Sequence, residues 1–123
     1  MNALSQARRA YSAASAPTRT SRGTEYEAVA RITARMRTAH SQGASGFAAL
    51  AEALHENRKL WKIFATDVAD PGNRLPQDLR ARLFYLAEFT THHTSKVLAR
   101  RATVEPLLEI NTAILRGLRS GAK

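Results

Sequence analysis

The chain has 123 residues, 44% of them hydrophobic, with four prolines, six glycines and no cysteine. That length suits one domain around one core, and the lack of cysteine excludes disulfides, thiol nucleophiles and cysteine-based zinc sites. The formal net charge of +9 raises nucleic acid as a partner, but beyond residues 1–24, which hold four Arg and no acid, bases and acids are mixed throughout.

Residues 1–22 form an arm rich in Ala, Ser, Thr and Arg. Leu4, Ala7, Arg8 and Tyr11 share one helical face, so a short N-terminal helix fits there, and Ser12 to Arg22 reads as a linker around Pro17. The single helical domain is expected over 23–120. Its first helix opens near Thr24, where Thr24-Glu25-Tyr26-Glu27 has the form of a capping box. Tyr26, Val29, Ala30, Thr33 and Met36 make its apolar stripe, and it should end near His40, before Gly43 and Gly46.

The second helix is read from Phe47 through Leu50, Ala51, Leu54, Arg58, Trp61, Ala65 and Val68, a core-facing stripe. Asp70-Pro71-Gly72-Asn73 ends it in a turn. Pro76 opens a third helix, since proline suits a first turn. Leu79, Leu83, Leu86, Thr90 and Val97 mark its face, with Tyr85 and Phe89 widening it. A fourth starts near Val104-Glu105-Pro106 and carries Leu107, Ile110, Asn111, Ile114 and Leu118, with Gly117 and Gly121 as a stop. No segment alternates with period two, so no sheet is expected. The expected fold is all-α: a small antiparallel bundle of four main helices, plus the short N-terminal one.

Catalytic and metal chemistry find no support. Glu52 and His55 have the Glu-x-x-His spacing of bundle metal sites, but Glu52 lies on the far side from Leu50, Ala51 and Leu54, and no second copy exists. Glu88 and His92 are four apart. His92 and His93 point about 100° apart on a helix and chelate one ion poorly. Ser41 and Ser45 have no positioned base, and Gly43 to Gly46 lacks the strand and Lys of a phosphate loop. No enzyme activity, cofactor or metal is expected. Nor does any stretch approach 18 consecutive apolar residues, and the first residues lack the apolar core of a secretory signal. A cytoplasmic location is expected.

Two features point to protein contact. Turning the stripe from Phe47 to Val68 inward leaves Leu60 and Ile63 on the far side, and Phe84 lies away from Leu79, Leu83 and Leu86. Such a surplus apolar face marks a partner or self-association surface, unless Leu4 and Tyr11 of the arm fold over it. Asn57, Leu60, Ile63, Phe64 and Phe84 are therefore the candidate partner contacts, with Trp61 and its neighbour Phe64 also reading as core. Asn57 and Asn111 lie on or beside apolar stripes, where a buried amide that finds partners fixes which helices pair.

The ordered set Asn57-Arg58-Lys59-Leu60-Trp61, Asp67, Asn73-Arg74-Leu75-Pro76 and Leu79-Arg80-Ala81 resembles the FlaF family of alphaproteobacterial flagellar biosynthesis regulators. Ala10-Tyr11, Glu25-Tyr26 and Leu108-Glu109-Ile110-Asn111 through Gly117-Leu118 add to it, and about 110 residues are covered in order. Before Glu25 the family usually has Pro-Arg, where this chain has Ser21-Arg22-Gly23-Thr24. The resemblance implies a cytoplasmic, helical protein of flagellar gene clusters whose motif positions here are Tyr26, Trp61, Asp67, Asn73, Pro76, Arg80 and Asn111. It implies a flagellin-binding secretion chaperone acting with FlbT, a regulator of flagellin messenger translation. Flagellin termini are amphipathic helices that a spare apolar face could cover. The alternatives are an RNA-binding regulator of flagellin messenger, suggested by Arg8, Arg9, Arg19 and Arg22, and a homodimeric scaffold for FlbT.

Overall fold

The computed structural model describes the backbone of residues 21–121 and the side chains of residues 25–117. The proposed N-terminal helix with Leu4 and Tyr11, and the core placement of Leu118, lie outside these described residues. Among the described residues four helices follow in order: α1 (Ser21–Ser41), α2 (Phe47–Ala69), α3 (Gln77–Leu98) and α4 (Glu105–Gly121), with a 3-10 turn at Gly43–Gly46 before α2. No strand occurs among the described residues. Short connections fold α2 back on α1 and α3 back on α2. α2 packs against α1 and α3, α4 packs chiefly against α1, and α3 and α4 touch little.

The helix boundaries differ from the sequence expectation at the start of α1 and the end of α4. α1 already begins at Ser21, so Thr24 lies inside the helix and the capping-box pattern does not mark its start. Gly117, read as a stop, lies within α4, which continues to Gly121.

Glycine is required where α1 turns into α2. Gly43 has φ of +65°, a left-handed conformation that costs other residues about 1–2 kcal/mol. Gly46 is buried, and a β-carbon there would collide with the carbonyl of Ala39 and crowd the side chain of Gln42. The backbone of α1 and the start of α2 approach too closely for any side chain.

The turn from α2 to α3 is tied by side chains. Asp70 Oδ1 accepts the Gly72 N–H at 2.9 Å, Asn73 Oδ1 accepts the Leu75 N–H at 3.0 Å, and Asn73 Nδ2 donates to the Asp67 carbonyl at 3.1 Å. Arg80 reaches back one helix, donating from Nε to the Val68 carbonyl at 2.9 Å and from a terminal nitrogen to the Asp70 carbonyl at 3.3 Å. The guanidinium thus satisfies the Val68 carbonyl in the last turn of α2 and joins the Asn73 N–H on the Asp70 carbonyl, where the helix dipole also favours a cation. Asp67, Asn73, Pro76 and Arg80 hold this corner together.

α3 ends differently. The Arg101 N–H bonds the Lys96 carbonyl and the Arg100 N–H the Val97 carbonyl, the paired closure of a Schellman motif. Its left-handed position, normally glycine, is Arg100, with φ of +61°. The Arg100 guanidinium sits 4.2 Å above the centre of the Phe47 ring, a cation–π contact that offsets the backbone cost and ties the end of α3 to the start of α2.

The core is built on Val29, Ile32 and Met36 of α1, Leu50, Ala53, Leu54 and Leu60 of α2, Val97 of α3, and Val104 and Leu107 at the start of α4. Trp61 is fully buried and meets Phe64 edge to face, ring centres 5.4 Å apart. Through the middle runs a buried polar chain. Asn111 of α4 accepts the Trp61 indole N–H at 3.0 Å and donates to Thr33 Oγ1 at 3.0 Å and to Asn57 Oδ1 at 2.8 Å. Thr33 in turn donates to the Val29 carbonyl. One amide therefore joins three helices, as the stripe positions of Asn57 and Asn111 predict.

Candidate protein-docking surface

The inward face of α2 is rotated from the one read in the sequence. Its buried residues are Leu50, Ala53, Leu54, Asn57, Leu60, Trp61 and Val68, a stripe centred on Asn57 at about 100° per residue. Steps of three and four from Phe47 alone favour Ala51, Arg58 and Ala65, which are only half-buried. They also push the stripe toward Arg58, whose guanidinium donates to Ser95 Oγ instead.

The partner candidates on α2 change accordingly. Leu60 is 7% exposed and belongs to the core, so its assignment to a surface facing away from Trp61 is corrected. Asn57 is fully buried and bonded to Asn111, which removes it from any accessible surface. Ile63 and Phe64 are half-buried, with Phe64 packed against the core.

On α3 the outcome is different. Phe84 is 40% exposed, as its position away from Leu79, Leu83 and Leu86 predicts, and Tyr85 is 65% exposed. These are the exposed large hydrophobic side chains among the described residues. Tyr85 does not widen the core face, because the buried residues of α3 are Ala87, Thr90, Thr94 and Val97. A stripe through those four puts Tyr85 about 160° from Ala87 around the helix. The steps of three, four and three from Ala87 to Val97 carried that signal; two threonines and an alanine made it weak beside three leucines.

Phe84 also forms one wall of a shallow groove where α2 ends and α3 begins, with Val68, Ala69, Gln77, Arg80 and Ala81. The corner described above fixes its shape, since Arg80 is held by the Val68 and Asp70 carbonyls. A second shallow groove, between α1 and α2, is lined by small and polar residues including Ala34, Thr38, Ala49 and Glu52.

The remaining candidates are placed as follows. Glu52 and His55 are both exposed on α2. No group of three His, Asp or Glu residues able to hold a metal occurs among the described residues. His92 is exposed; His93 Nε2 lies 2.7 Å from the Thr103 carbonyl, and its ring stacks on Phe89. The hydroxyls of Ser41 and Ser45 donate to the carbonyls of Thr38 and Gln42, three residues back. Among the described residues, no helix is long and apolar enough to cross a membrane.

The model of the family described as flagellar protein FlaF matches residues 7–118. The chain belongs to the FlaF family. It is thus a flagellar protein, and the match runs through all four helices, including the tied corner and the Asn111 network. No curated protein and no solved structure matches the chain. In this FlaF protein the motif positions Trp61, Asp67, Asn73, Pro76, Arg80 and Asn111 serve the interior and the α2–α3 corner. Tyr26 is half-buried on α1. What the FlaF scaffold leaves outward is the Phe84–Tyr85 face.

Proposed function

We propose that this FlaF protein is a cytoplasmic flagellin-binding chaperone that controls flagellin synthesis and export by protein contact, not by catalysis. The observation that carries the proposal is the adjacent exposure of Phe84 and Tyr85 beside the groove at the α2–α3 corner. Exposed aromatics beside a concave surface suit the apolar face of an amphipathic helix, and flagellin's terminal helices are clients of that kind. Protein contact is also favoured over RNA by the scattering of exposed bases: Arg31 and Arg35 on α1, Lys59 and Lys62 on α2, Arg82 and Lys96 on α3, and Arg116 on α4. A dedicated nucleic-acid surface would gather them on one face. FlbT is a second partner on this reading, joining the flagellin-bound form.

The test is gel filtration of the purified protein with flagellin at micromolar concentration. A stoichiometric complex that disappears in Phe84→Ser/Tyr85→Asp, with helical circular dichroism unchanged, supports the proposal. Independent migration of the two wild-type proteins sinks it.

A further inference from the structure

α3 shows α4 an apolar flank that the bundle leaves partly uncovered. Leu79, Leu86 and His93 recur at steps of seven and so share one side of α3. His93 Nε2 lies 2.7 Å from the Thr103 carbonyl, at the entry to α4. Arg80 and Ser95, which bond to residues of α2, lie about 100° or more away around the helix. That side of α3 therefore points toward α4 along its length. Beyond His93 the two helices touch little, and Leu79 and Leu86 remain half-buried.

On α4 the facing flank carries Ile110 and Ile114, both half-buried, and the exposed Gly117. These three lie about 140° or more from Thr112 around the helix. Thr112 takes a bond from Arg37 of α1, so the flank turns from α1 toward α3. A β-carbon at Gly117 would meet nothing within 4 Å. Phe64 of α2, half-buried and edge-on to Trp61, lies between the two flanks. α3 and α4 thus part into an apolar cleft toward the α2–α3 corner.

Residues 1–20 join α1 at that same end. α1 runs antiparallel to α2, with Arg35 paired to Glu56. Ser21, fourteen before Arg35, is therefore level with Asp70, fourteen after Glu56. Leu4, Ala7 and Tyr11 fall within about 60° of one another at helical spacing. Leu4 to Tyr11 is the same seven-residue step as Leu79 to Leu86. Ser12 to Thr20 reach about 30 Å at most, enough to bring Tyr11 to the cleft. So short a tether holds the arm at about millimolar effective concentration, ahead of any free helix. The family match starts at residue 7 and takes in part of this segment.

We propose that residues 1–11 dock as a helix in the α3–α4 cleft of their own chain. The helix runs antiparallel to α3, with Tyr11 beside Leu79 and Leu4 beside Leu86. Phe84 and Tyr85 lie about 100° or more from that flank of α3, so the docked arm leaves them open. The docking does not rest on the flagellin reading.

The chain has no cysteine, so two introduced thiols report on one contact. Ala3→Cys is combined either with Ala113→Cys, at the edge of the cleft, or with Thr66→Cys, on the outer face of α2. Each full-length variant is treated with a short bis-maleimide at micromolar concentration. The first pair should crosslink within the chain and the second should not. In urea unfolding, Tyr11→Ala and Leu79→Ala should each lower the folding equilibrium constant about tenfold. The double variant should lose at least about threefold less than the product of the two. Equal crosslinking of both pairs, crosslinking of neither, or independent losses in the double variant overturns the docking. A crosslink formed only between chains gives the cleft to a second copy and also overturns it. Added flagellin should leave the crosslink intact; a crosslink it abolishes makes the cleft a client site and overturns the arm as its occupant. An intact crosslink in a protein with no flagellin affinity upholds the docking and refutes the chaperone reading alone.

Discussion

Trp61 of α2 donates its indole N–H to the Asn111 side chain of α4, although the backbones of those two helices do not approach each other. The bond crosses the bundle diagonally, and Asn111 continues it to Asn57 and Thr33. A buried amide satisfied in this way specifies which helices lie opposite, because any shifted register strands its donors and acceptor.

Asn111→Ala should therefore cost more than its volume suggests. It leaves the Trp61 N–H and the Asn57 carbonyl buried without partners, each at about 1–3 kcal/mol. Urea unfolding should show a loss above about 3 kcal/mol, with Trp61→Phe costing less because one orphan replaces several. Equal losses would show that Asn111 acts through packing alone.

The same residues explain how far the sequence could be read. The four helices, their short connections and the turn at Asp70–Pro76 follow from stripe spacing and from proline and glycine placement. The rotation of α2 does not. Its inward face is centred on Asn57, which the sequence offers both as a buried amide and as a partner contact; its bond to Asn111 on α4 makes the position interior. A stripe turned toward Arg58 leaves Leu60 outside it, whereas the bundle buries Leu60. On α3, Phe84 reads outward from its neighbours, while Leu79, Leu83 and Leu86, which the bundle buries only partly, make Tyr85 read inward. The Gly46 approach and the Arg100–Phe47 stack depend on contacts between distant segments and have no local signature.

Leu60 and Tyr85 should respond oppositely to charge. Leu60→Asp buries a carboxylate in the apolar core and should unfold the protein or strip it of several kcal/mol. Tyr85→Asp, on a surface 65% exposed, should change stability by no more than about 0.5 kcal/mol. Thermal melts followed by circular dichroism separate the two, and a tolerated Leu60→Asp would contradict the core placement.

Gly46→Ala should destabilise by at least about 2 kcal/mol, because the added carbon meets the Ala39 carbonyl and the backbone must move. Gly43→Ala meets no atom within 4 Å and should lose about 1–2 kcal/mol through its positive φ alone. Urea midpoints of the two variants check the order; a Gly43 variant weaker than the Gly46 variant would refute it.

Arg100 separates backbone strain from side-chain stacking. Arg100→Ala keeps the left-handed conformation and loses the ring contact, so it should cost about 0.5–1 kcal/mol. Arg100→Gly loses the contact but relieves strain of about 1 kcal/mol and should be near neutral. Denaturant curves in which alanine is better tolerated than glycine would show that Phe47 does not hold this end of α3.

The central claim is that the Phe84–Tyr85 face of α3 binds flagellin. The most direct measurement is titration calorimetry of flagellin into wild-type protein and into Tyr85→Asp. The account predicts saturable binding to the wild type and none to the folded variant. Equal binding by both, or none by either, would contradict it.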